Sequence, residues 1–412
     1  MVDDERRTVN SWSMNDDDIM ARHGLSRIIN VAGTMTALGA SLAVPEAIAA
    51  GAAIQSQFVD MDALQARASR VIAAATGAES GCITACSAAG IALGIAGAMT
   101  GSDLARIEQL PDTTGLKDEV VIQAGHLINY GAPIDQAIRI AGAKVKAVGS
   151  AAQVETYHLE NAINEHTAAA LFVVSHHVVQ EGQTALGEFI ALCKARKVPV
   201  IVDMASEYDL TGPIALGAEL VVYSAHKFLG GPTAGIVAGR KDLVCAAYLQ
   251  NRGLGRHMKV GKESILGTVA ALEAWSRRDH AACRARELAV VAGWRAALAG
   301  VPGLALEQVP DWTGNPIDRL KVTVMAKEAG LHAWELADRL AAGEPSIRVR
   351  DDLIEHGYFF LDPCNLKPGE DTVVAAAIRT TIEAARRQGD GRGVTLAQRR
   401  RRMIEATLKW PD

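Results

Sequence analysis

Lys227 stands between two apolar runs, a poor place for an ordinary surface charge. It follows Leu220-Val-Val-Tyr-Ser and precedes the turn Gly230-Gly-Pro and the run Gly235-Ile-Val-Ala-Gly. A lysine at the end of a buried strand loses solvation, which lowers the pKa of its amine and favours the neutral form. A neutral amine can form a Schiff base with a carbonyl compound. Taken alone, the same position suits a lysine that reaches water from a strand end.

A carboxylate precedes Lys227 by about the length of one βαβ connection. Asp203 ends the apolar run Val198-Pro-Val-Ile-Val. The carboxyl end of a strand faces the ligand crevice in an open α/β sheet. A carboxylate there can keep a pyridinium nitrogen protonated, which turns the ring into an electron sink. Ala205 leaves room for a flat ring, while the alternative role of Asp203 is a helix cap.

The segment Thr84-Ala-Cys-Ser-Ala-Ala-Gly90 joins a short apolar run to a helix rich in Gly and Ala. Small residues at a helix N-terminus leave backbone N–H groups available to an anion. Ser87 adds a hydroxyl donor, although it also suits a plain helix cap. Together the three features supply a phosphate-binding site, a partner for a pyridine nitrogen and a Schiff-base lysine.

This order and spacing resembles the fold-type I pyridoxal 5′-phosphate (PLP) enzymes. Residues 26–271 resemble the bacterial selenocysteine synthase (L-seryl-tRNA(Sec) selenium transferase) family, and within it the D-glucosaminate-6-phosphate ammonia-lyase-like branch, which lacks tRNA chemistry. The stretches that carry the resemblance are Arg27–Gly39, Val59–Gln65, Thr76–Glu79, Thr84–Gly90, Val202–Glu207 and Ser224–Pro232.

The resemblance implies PLP as the cofactor and a role for each part of the site. Lys227 would form the Schiff base, and Asp203 would partner the pyridine nitrogen. Ser224 would add a phosphate or hydrogen-bond contact. The phosphate would lie on the backbone at the start of the helix, namely Cys86, Ser87, Ala88 and Ala89.

Two histidines are further candidates for the site. His126 follows a strand in Gln123-Ala-Gly-His-Leu and is placed to stack on the cofactor ring; otherwise it is a loop histidine. His226 adjoins Lys227 and would help proton transfer or phosphate binding; otherwise it makes a structural contact at the strand end.

Arginines are the candidates for substrate binding. Arg350 lies in Pro345-Ser-Ile-Arg-Val-Arg, which resembles a Pro-Pro-Ile-x-x-Arg pattern of the family. Its guanidinium can bind a carboxylate through two parallel hydrogen bonds. The alternative is an arginine on the surface with no such role. Arg256 lies in a basic cluster with Lys259 and Lys262, which would meet a substrate anion or a neighbouring subunit, or form a solvated loop.

Charge and one departure from the family argue against a nucleic-acid substrate. The net charge is −5 and the isoelectric point about 6.1, whereas nucleic-acid binding normally needs clustered positive charge. The chain also has Ser224-Ala-His-Lys where the tRNA-dependent transferases carry Ser-Gly-Asp-Lys. We therefore expect a small amino-acid substrate and no nucleic acid.

The resemblance favours a PLP-dependent lyase of the ammonia-lyase type. Lys227 would remove the α-proton of a hydroxy amino acid, and β-elimination would give a 2-oxo acid and ammonia. An amino-acid racemase or an aldolase would share the first steps. Selenium transfer to seryl-tRNA and a non-catalytic binding module are the alternatives from other classes.

The elements that must position these residues alternate short apolar runs with helical segments. Runs such as Leu220-Val-Val-Tyr-Ser are apolar on both faces, which is typical of a mainly parallel sheet covered by helices. We expect an α/β fold of the aspartate aminotransferase-like, fold-type I class with a small C-terminal α+β domain. The expected divisions are an N-terminal arm joining the small domain (1–50), a large PLP-binding domain (51–265) and the small domain (266–412).

The cysteines and the N-terminus bear on location. None of the six cysteines forms a CxxC pair, so we expect free thiols and no metal site. The N-terminus lacks the pattern of a signal peptide, which predicts a cytoplasmic protein. A homodimer or larger even assembly follows from the resemblance, since fold-type I sites form between subunits.

Overall fold

A computed structural model of the chain describes residues 16–388 and 393–410. The strands are β1 (Ile28–Val31), β2 (Ser80–Thr84), β3 (Glu119–Gln123), β4 (Lys144–Val148), β5 (Thr167–Val173), β6 (Val200–Asp203), β7 (Leu220–Ser224), β8 (Gly235–Gly239), β9 (Leu304–Pro310), β10 (Asp318–Val324), β11 (Ser346–Val349) and β12 (Tyr358–Leu361).

The α-helices vary from single turns to long segments. They are α1 (Asp16–Arg22), α2 (Pro45–Gln55), α3 (Met61–Thr76), α4 (Ser87–Thr100), α5 (Leu104–Gln109), α6 (Ile134–Ile140), α7 (Thr156–Ala162), α8 (Leu186–Ala195), α9 (Gly212–Leu216), α10 (Lys241–Leu249), α11 (Lys262–Arg277), α12 (His280–Leu298), α13 (Ala326–Ala329), α14 (Ala333–Ala341), α15 (Glu370–Gln388) and α16 (Leu396–Leu408).

A seven-stranded sheet forms the centre of the larger unit, in the order β2-β8-β7-β6-β5-β3-β4. Neighbours from β7 to β4 pair in parallel, and β8 is antiparallel to both β2 and β7. Every residue of β5, β6, β7 and β8 is buried, as the doubly apolar runs predict. The mainly parallel central sheet expected from the sequence is confirmed.

Helix α4 packs on the sheet through small residues. Most of its residues are buried, and it contacts α10 and the strands β5 to β8. A Cβ atom on Gly97 would lie 2.7 Å from the backbone nitrogen of Ala247, so the two helices approach more closely than larger side chains allow. The abundance of Gly and Ala in this segment therefore serves close packing.

The division of the chain differs from the expected one. The larger unit comprises Thr34–Arg284 and Pro310–Ile317. Helix α11 stays in it because Ile265, Val269 and Leu272 join the same core as the sheet. Residues 34–50 also belong to the larger unit, whereas the sequence analysis had assigned them to an arm joining the small domain.

The smaller unit comprises, among the described residues, those up to Gly33, Ala285–Val309 and those from Asp318 onward. It contains the antiparallel β10–β12 pair, with β9 on the other side of β10. Strand β1 pairs in parallel with β11, with Ile28 opposite Ser346. The sequence analysis did not predict β9, which is mostly exposed or half-buried and therefore lacks a strong apolar signal.

The expected N-terminal arm (1–50) begins outside the described part of the chain, which excludes residues 1–15. Helix α1 is the first element described in that range. Within the described residues, no helix has both the length and the apolar character needed to cross a membrane.

Candidate active site

The candidate site lies where several strands of the large sheet end. Thr84, the last residue of β2, is paired with Gly235, which is paired on its other side with Ser224 at the end of β7. Asp203 ends β6 and lies beside Val222 of β7. The ends of β2, β6 and β7 therefore meet at one edge, where an open α/β sheet binds ligands.

The first turn of α4 begins at this edge. Cys86 caps the helix, with its Sγ 3.4 Å from the Ala89 backbone nitrogen, and Thr84 Oγ1 donates to the Cys86 carbonyl at 2.9 Å. A Cβ on Gly235 would lie 2.3 Å from the Cys86 carbonyl oxygen, so only glycine fits beside the cap. The Ser87 and Ala88 N–H groups belong to the first turn, which has no acceptors within its own helix.

Asp203 is a buried carboxyl group close to a lysine. Asp203 is only 8% exposed, and its Oδ1 accepts the Ala205 N–H at 3.0 Å. Burial raises the pKa of Asp203 to about 6, while the Ala205 N–H and the charge of Lys227 act in the opposite direction. The carboxylate is thus the main form at neutral pH, and it is poorly solvated.

Lys227 is half-buried in a tight turn after β7. Its Nζ donates to the hydroxyl of Ser206, three residues beyond Asp203. Its carbonyl accepts the Gly230 N–H at 3.0 Å, and Gly230 has a φ of +66°, which explains why glycine stands there. The turn directs a lysine amine and the Asp203 carboxylate to the same region.

His126 follows β3 and is almost fully buried. Its Nδ1 accepts the Val173 N–H at 3.1 Å, and its ring meets the Phe172 ring edge-on at 4.5 Å between centroids. Burial lowers the pKa of His126 to about 4, so the ring is neutral at physiological pH. A neutral, fixed ring suits packing against a flat group better than proton exchange.

Ser224 and His226 form a pair at the end of β7. Ser224 Oγ lies 3.0 Å from His226 Nδ1, and both residues are buried. Burial lowers the pKa of His226, and the neighbouring charge of Lys227 lowers it further. The imidazole is therefore held neutral and close to the Ser224 hydroxyl.

The predicted substrate-binding arginines lie in different units of the chain. Arg256 is exposed in the short 3-10 helix Leu254–Met258 of the larger unit. Arg350 belongs to the smaller unit, where its Nε lies 3.1 Å from Asp352 Oδ2 and its backbone pairs with Phe360. Arg350 is buried, so it is not the surface arginine considered as its alternative.

Sequence analysis missed three neighbours of the Asp203–Lys227 pair. Ser206 contacts Lys227, and the charge of Asp203 contributes to raising the pKa of both Tyr130 and Glu207, after burial as the main cause. Ser206 and Glu207 belong to the stretch that carries the family resemblance, which was an available signal. Nothing comparable in the sequence marks Tyr130.

The fold and the site together define the class of protein. The fold is that of the fold-type I PLP-dependent enzymes, as predicted. A structure of cysteine desulfurase from Thermococcus onnurineus NA1 covers 90% of this chain and 98% of its own, with a TM-score of 0.56. Its sequence identity is 12%, so this likeness shows the fold alone.

The chain belongs to the L-seryl-tRNA selenium transferase (SelA) family, which matches residues 28–299. D-glucosaminate-6-phosphate ammonia lyase of Salmonella typhimurium (strain 14028s / SGSC 2262) is 40% identical over 89% of this chain and 99% of its own. 5′-C-glycyluridine monooxygenase-decarboxylase of a Streptomyces species is 36% identical, over 85% and 89%. A solved structure of D-glucosaminate-6-phosphate ammonia-lyase has a TM-score of 0.81 at 39% identity, covering 89% of this chain and 98% of its own. The expected family and branch are confirmed.

Proposed function

We propose that this chain is a PLP-dependent ammonia-lyase that converts a β-hydroxy amino acid to a 2-oxo acid and ammonia. One observation carries the proposal: a lysine amine and a buried carboxylate meet at the sheet edge where α4 begins. The similarity to an ammonia lyase over nearly the whole length of that enzyme supports the choice of reaction.

The residues at the sheet edge fit PLP chemically. Asp203 would hold the ring nitrogen, and Lys227 would form the Schiff base. The Cys86, Ser87 and Ala88 backbone, with the Ser87 and Ser224 hydroxyls, would hold the phosphate at the positive end of α4. When bound, PLP supplies an electron sink for negative charge at the substrate α-carbon.

Lys227 would also act as the base. The Lys227 Nζ, as a free amine, would accept the α-proton of the substrate. The C–O bond at the β-carbon would then break, and the hydroxyl would leave as water with the proton that Lys227 has taken. Hydrolysis of the C–N bond consumes one water, so the net change is one amino acid to one 2-oxo acid and one ammonia.

The two histidines would support these groups. His126 would pack against one face of the cofactor ring, in keeping with its neutral, fixed imidazole. His226 was expected to assist either proton transfer or phosphate binding. Its contact with Ser224 Oγ favours the second role, in which it orients a hydroxyl towards the phosphate.

The substrate would be a small hydroxy amino acid, and no nucleic acid would take part. Arg350 would bind the substrate carboxylate, and Arg256 would meet a substrate anion or a neighbouring subunit. The name of the Salmonella relative points to D-glucosaminate 6-phosphate as the first compound to test. The active form would be a homodimer or larger even assembly; sedimentation showing only a monomer would contradict this.

The test is a substrate panel with PLP-loaded enzyme. The panel contains D-glucosaminate 6-phosphate, its unphosphorylated form, and the D and L isomers of serine and threonine. Ammonia and 2-oxo acid formed in equal amounts from at least one compound are expected. Chiral analysis and aldehyde assays detect racemase and aldolase products, and absence of ammonia from every compound would refute the lyase.

Variants connect the panel to the site. Lys227→Arg keeps the cation but forms no Schiff base, so kcat should fall by about 100-fold or more. Lys241→Arg, the same change at an exposed position of α10, should leave kcat unchanged. A salt-sensitive gel shift with seryl-tRNA would instead favour selenium transfer, and its absence is expected.

A further inference from the structure

A polar cluster lies behind Lys227, on the turn that follows β6. Asn315 comes from the segment Pro310–Ile317, which belongs to the larger unit although its flanking strands β9 and β10 belong mainly to the smaller one. Its Oδ1 accepts the Tyr208 N–H at 2.7 Å, and its Nδ2 donates to Glu207 Oε2 at 2.9 Å. One asparagine thus holds two successive residues of the turn.

The same turn carries the hydroxyl that touches the lysine. Ser206 Oγ accepts from Lys227 Nζ, and the Ser206 carbonyl lies 3.5 Å from Asn315 Nδ2. The far side of the turn is held as well, since the Tyr208 hydroxyl lies 2.5 Å from His280 Nδ1. A displacement of Glu207 would therefore move Ser206, and with it the group that Lys227 contacts.

Two carboxyl groups share the asparagine. Asn315 Nδ2 lies 2.9 Å from Glu207 Oε2 and 3.0 Å from Asp311 Oδ2, and Asp311 Oδ2 also accepts from Thr313 Oγ1 at 2.7 Å. Burial is the main cause that raises the pKa of Glu207 to about 8, and the charges of Asp311 and Asp203 raise it further. Asp311 and Asp203 are thus the two carboxylates whose charges act on Glu207.

We propose that Glu207 and Asn315 are positioning residues that hold Ser206 against Lys227, and that the proton on Glu207 keeps this arrangement closed. When Glu207 is neutral, Asp311 is the one negatively charged group of the two that bond the Asn315 amide. An ionised Glu207 would be repelled by the carboxylates of Asp311 and Asp203. This repulsion would drive the Glu207 side chain away from the cluster. The inference rests on the proposed role of Lys227 as the cofactor-linked lysine.

The direction of the pH effect follows from the raised pKa. Glu207 is neutral below about pH 8 in the folded protein, whereas an unburied glutamate ionises near its ordinary value of 4.5. The contribution of the cluster to stability is thus full below that ordinary value and is lost as the pH rises towards 8. The position of Lys227 should change as the pH passes about 8.

The experiment is an absorbance titration of the PLP-loaded protein from about pH 6 to pH 10, since the cofactor band reports the protonation of the Lys227 nitrogen. The wild type should show a transition near pH 8 that Glu207→Gln abolishes, because the amide cannot ionise. Asp311→Asn should move that transition to lower pH. Asn315→Ala should shift the pH midpoint at which the Lys227 nitrogen loses its proton by about 0.5 pH unit or more.

The matched control is Gln250→Ala, which removes a different side-chain amide of the same unit, a fully buried one that bonds Thr100 Oγ1. Its melting temperature should fall while its titration stays that of the wild type. Glu207→Gln and Asp311→Asn curves identical to the wild type would overturn the inference alone. A wild-type protein that binds no PLP would overturn the proposed function and this inference together.

Discussion

Asp203 is a carboxyl group that the fold buries next to a lysine. Its raised pKa means that ionisation in the folded, cofactor-free protein is less favourable than in water. Such a group is costly for a structure without a ligand, and it suits a site where a protonated ring nitrogen would arrive as its partner. The local electrostatics therefore favour binding of a cationic nitrogen.

Asp203→Asn should separate stability from function. At pH 7 the variant should be more stable than the cofactor-free wild type, by about 3 kcal/mol at most, since a pKa raised from 3.8 to about 6 corresponds to that energy. The gain should disappear as the pH falls from 6 towards 3.8, because wild-type Asp203 becomes protonated. Urea unfolding of the cofactor-free proteins at several pH values measures this.

The same variant should lose activity while it still binds PLP through Lys227. The amide cannot keep the ring nitrogen protonated, and kcat should fall by about 100-fold. An Asp203→Asn enzyme with wild-type kcat would show that this carboxylate is not the partner of the ring nitrogen.

At the residue scale, the sequence was sufficient to place Asp203 at the end of one apolar strand and Lys227 after another. Their roles towards PLP stay predictions. The sequence was insufficient for the contacts behind them. Asn315 is far from Glu207 along the chain, and no local pattern marks the pair. Only the folded chain brings an asparagine of the Pro310–Ile317 segment to the turn after β6.

At the scale of elements, the start of α4 and the start of β8 are closely fitted. Gly235 lies against the Cys86 carbonyl, and its own strand pairs with both β2 and β7. The first turn of α4 is therefore held at the sheet edge by backbone contact. This arrangement would keep the helix N–H groups aligned for a phosphate.

Gly235→Ala should weaken PLP binding. The added methyl would lie 2.3 Å from the Cys86 carbonyl oxygen, so the first turn of α4 must move, at a cost of about 1–3 kcal/mol. We expect the Kd for PLP to rise about tenfold or more, since 1.4 kcal/mol is tenfold in affinity. Fluorescence titration with PLP measures the change.

Gly97→Ala is the control in the same helix. Its added methyl would meet the Ala247 backbone at 2.7 Å, at the opposite end of α4. The variant should lose stability with little change in the Kd for PLP. Equal losses of PLP affinity in both variants would mean that the start of α4 has no special part in binding.

At the scale of the whole molecule, the smaller unit has its own buried charges. Arg319 Nε bonds Asp362 Oδ2 at 2.7 Å, and Asp362 is 1% exposed. Burial by itself raises the pKa of Asp362, but Arg319, the Cys364 N–H and Arg350 outweigh it and hold the pKa below its usual value. The carboxylate therefore stabilises this unit at neutral pH.

Asp362→Asn should destabilise the protein by about 3–5 kcal/mol at pH 7, because it removes the buried carboxylate that bonds Arg319. Asp352→Asn, at the more exposed partner of Arg350, should cost about 1 kcal/mol or less. Since the folded pKa of Asp362 is lowered, its contribution is present above the ordinary carboxyl pKa and is lost as the pH falls below it. Thermal unfolding of both variants between pH 7 and pH 3 gives the comparison, and equal losses would contradict it.

The sequence by itself determined the mainly parallel sheet, the family and the positions of Asp203 and Lys227 at strand ends, because these depend on local runs of apolar residues and on short motifs. The tertiary structure decided the division into units, since helix α11 packs on the core of the large sheet although it follows the last strand of that sheet in the chain. It also decided the surroundings of Lys227: contacts between distant segments, such as Asn315 with Glu207, depend on how the chain folds back on itself.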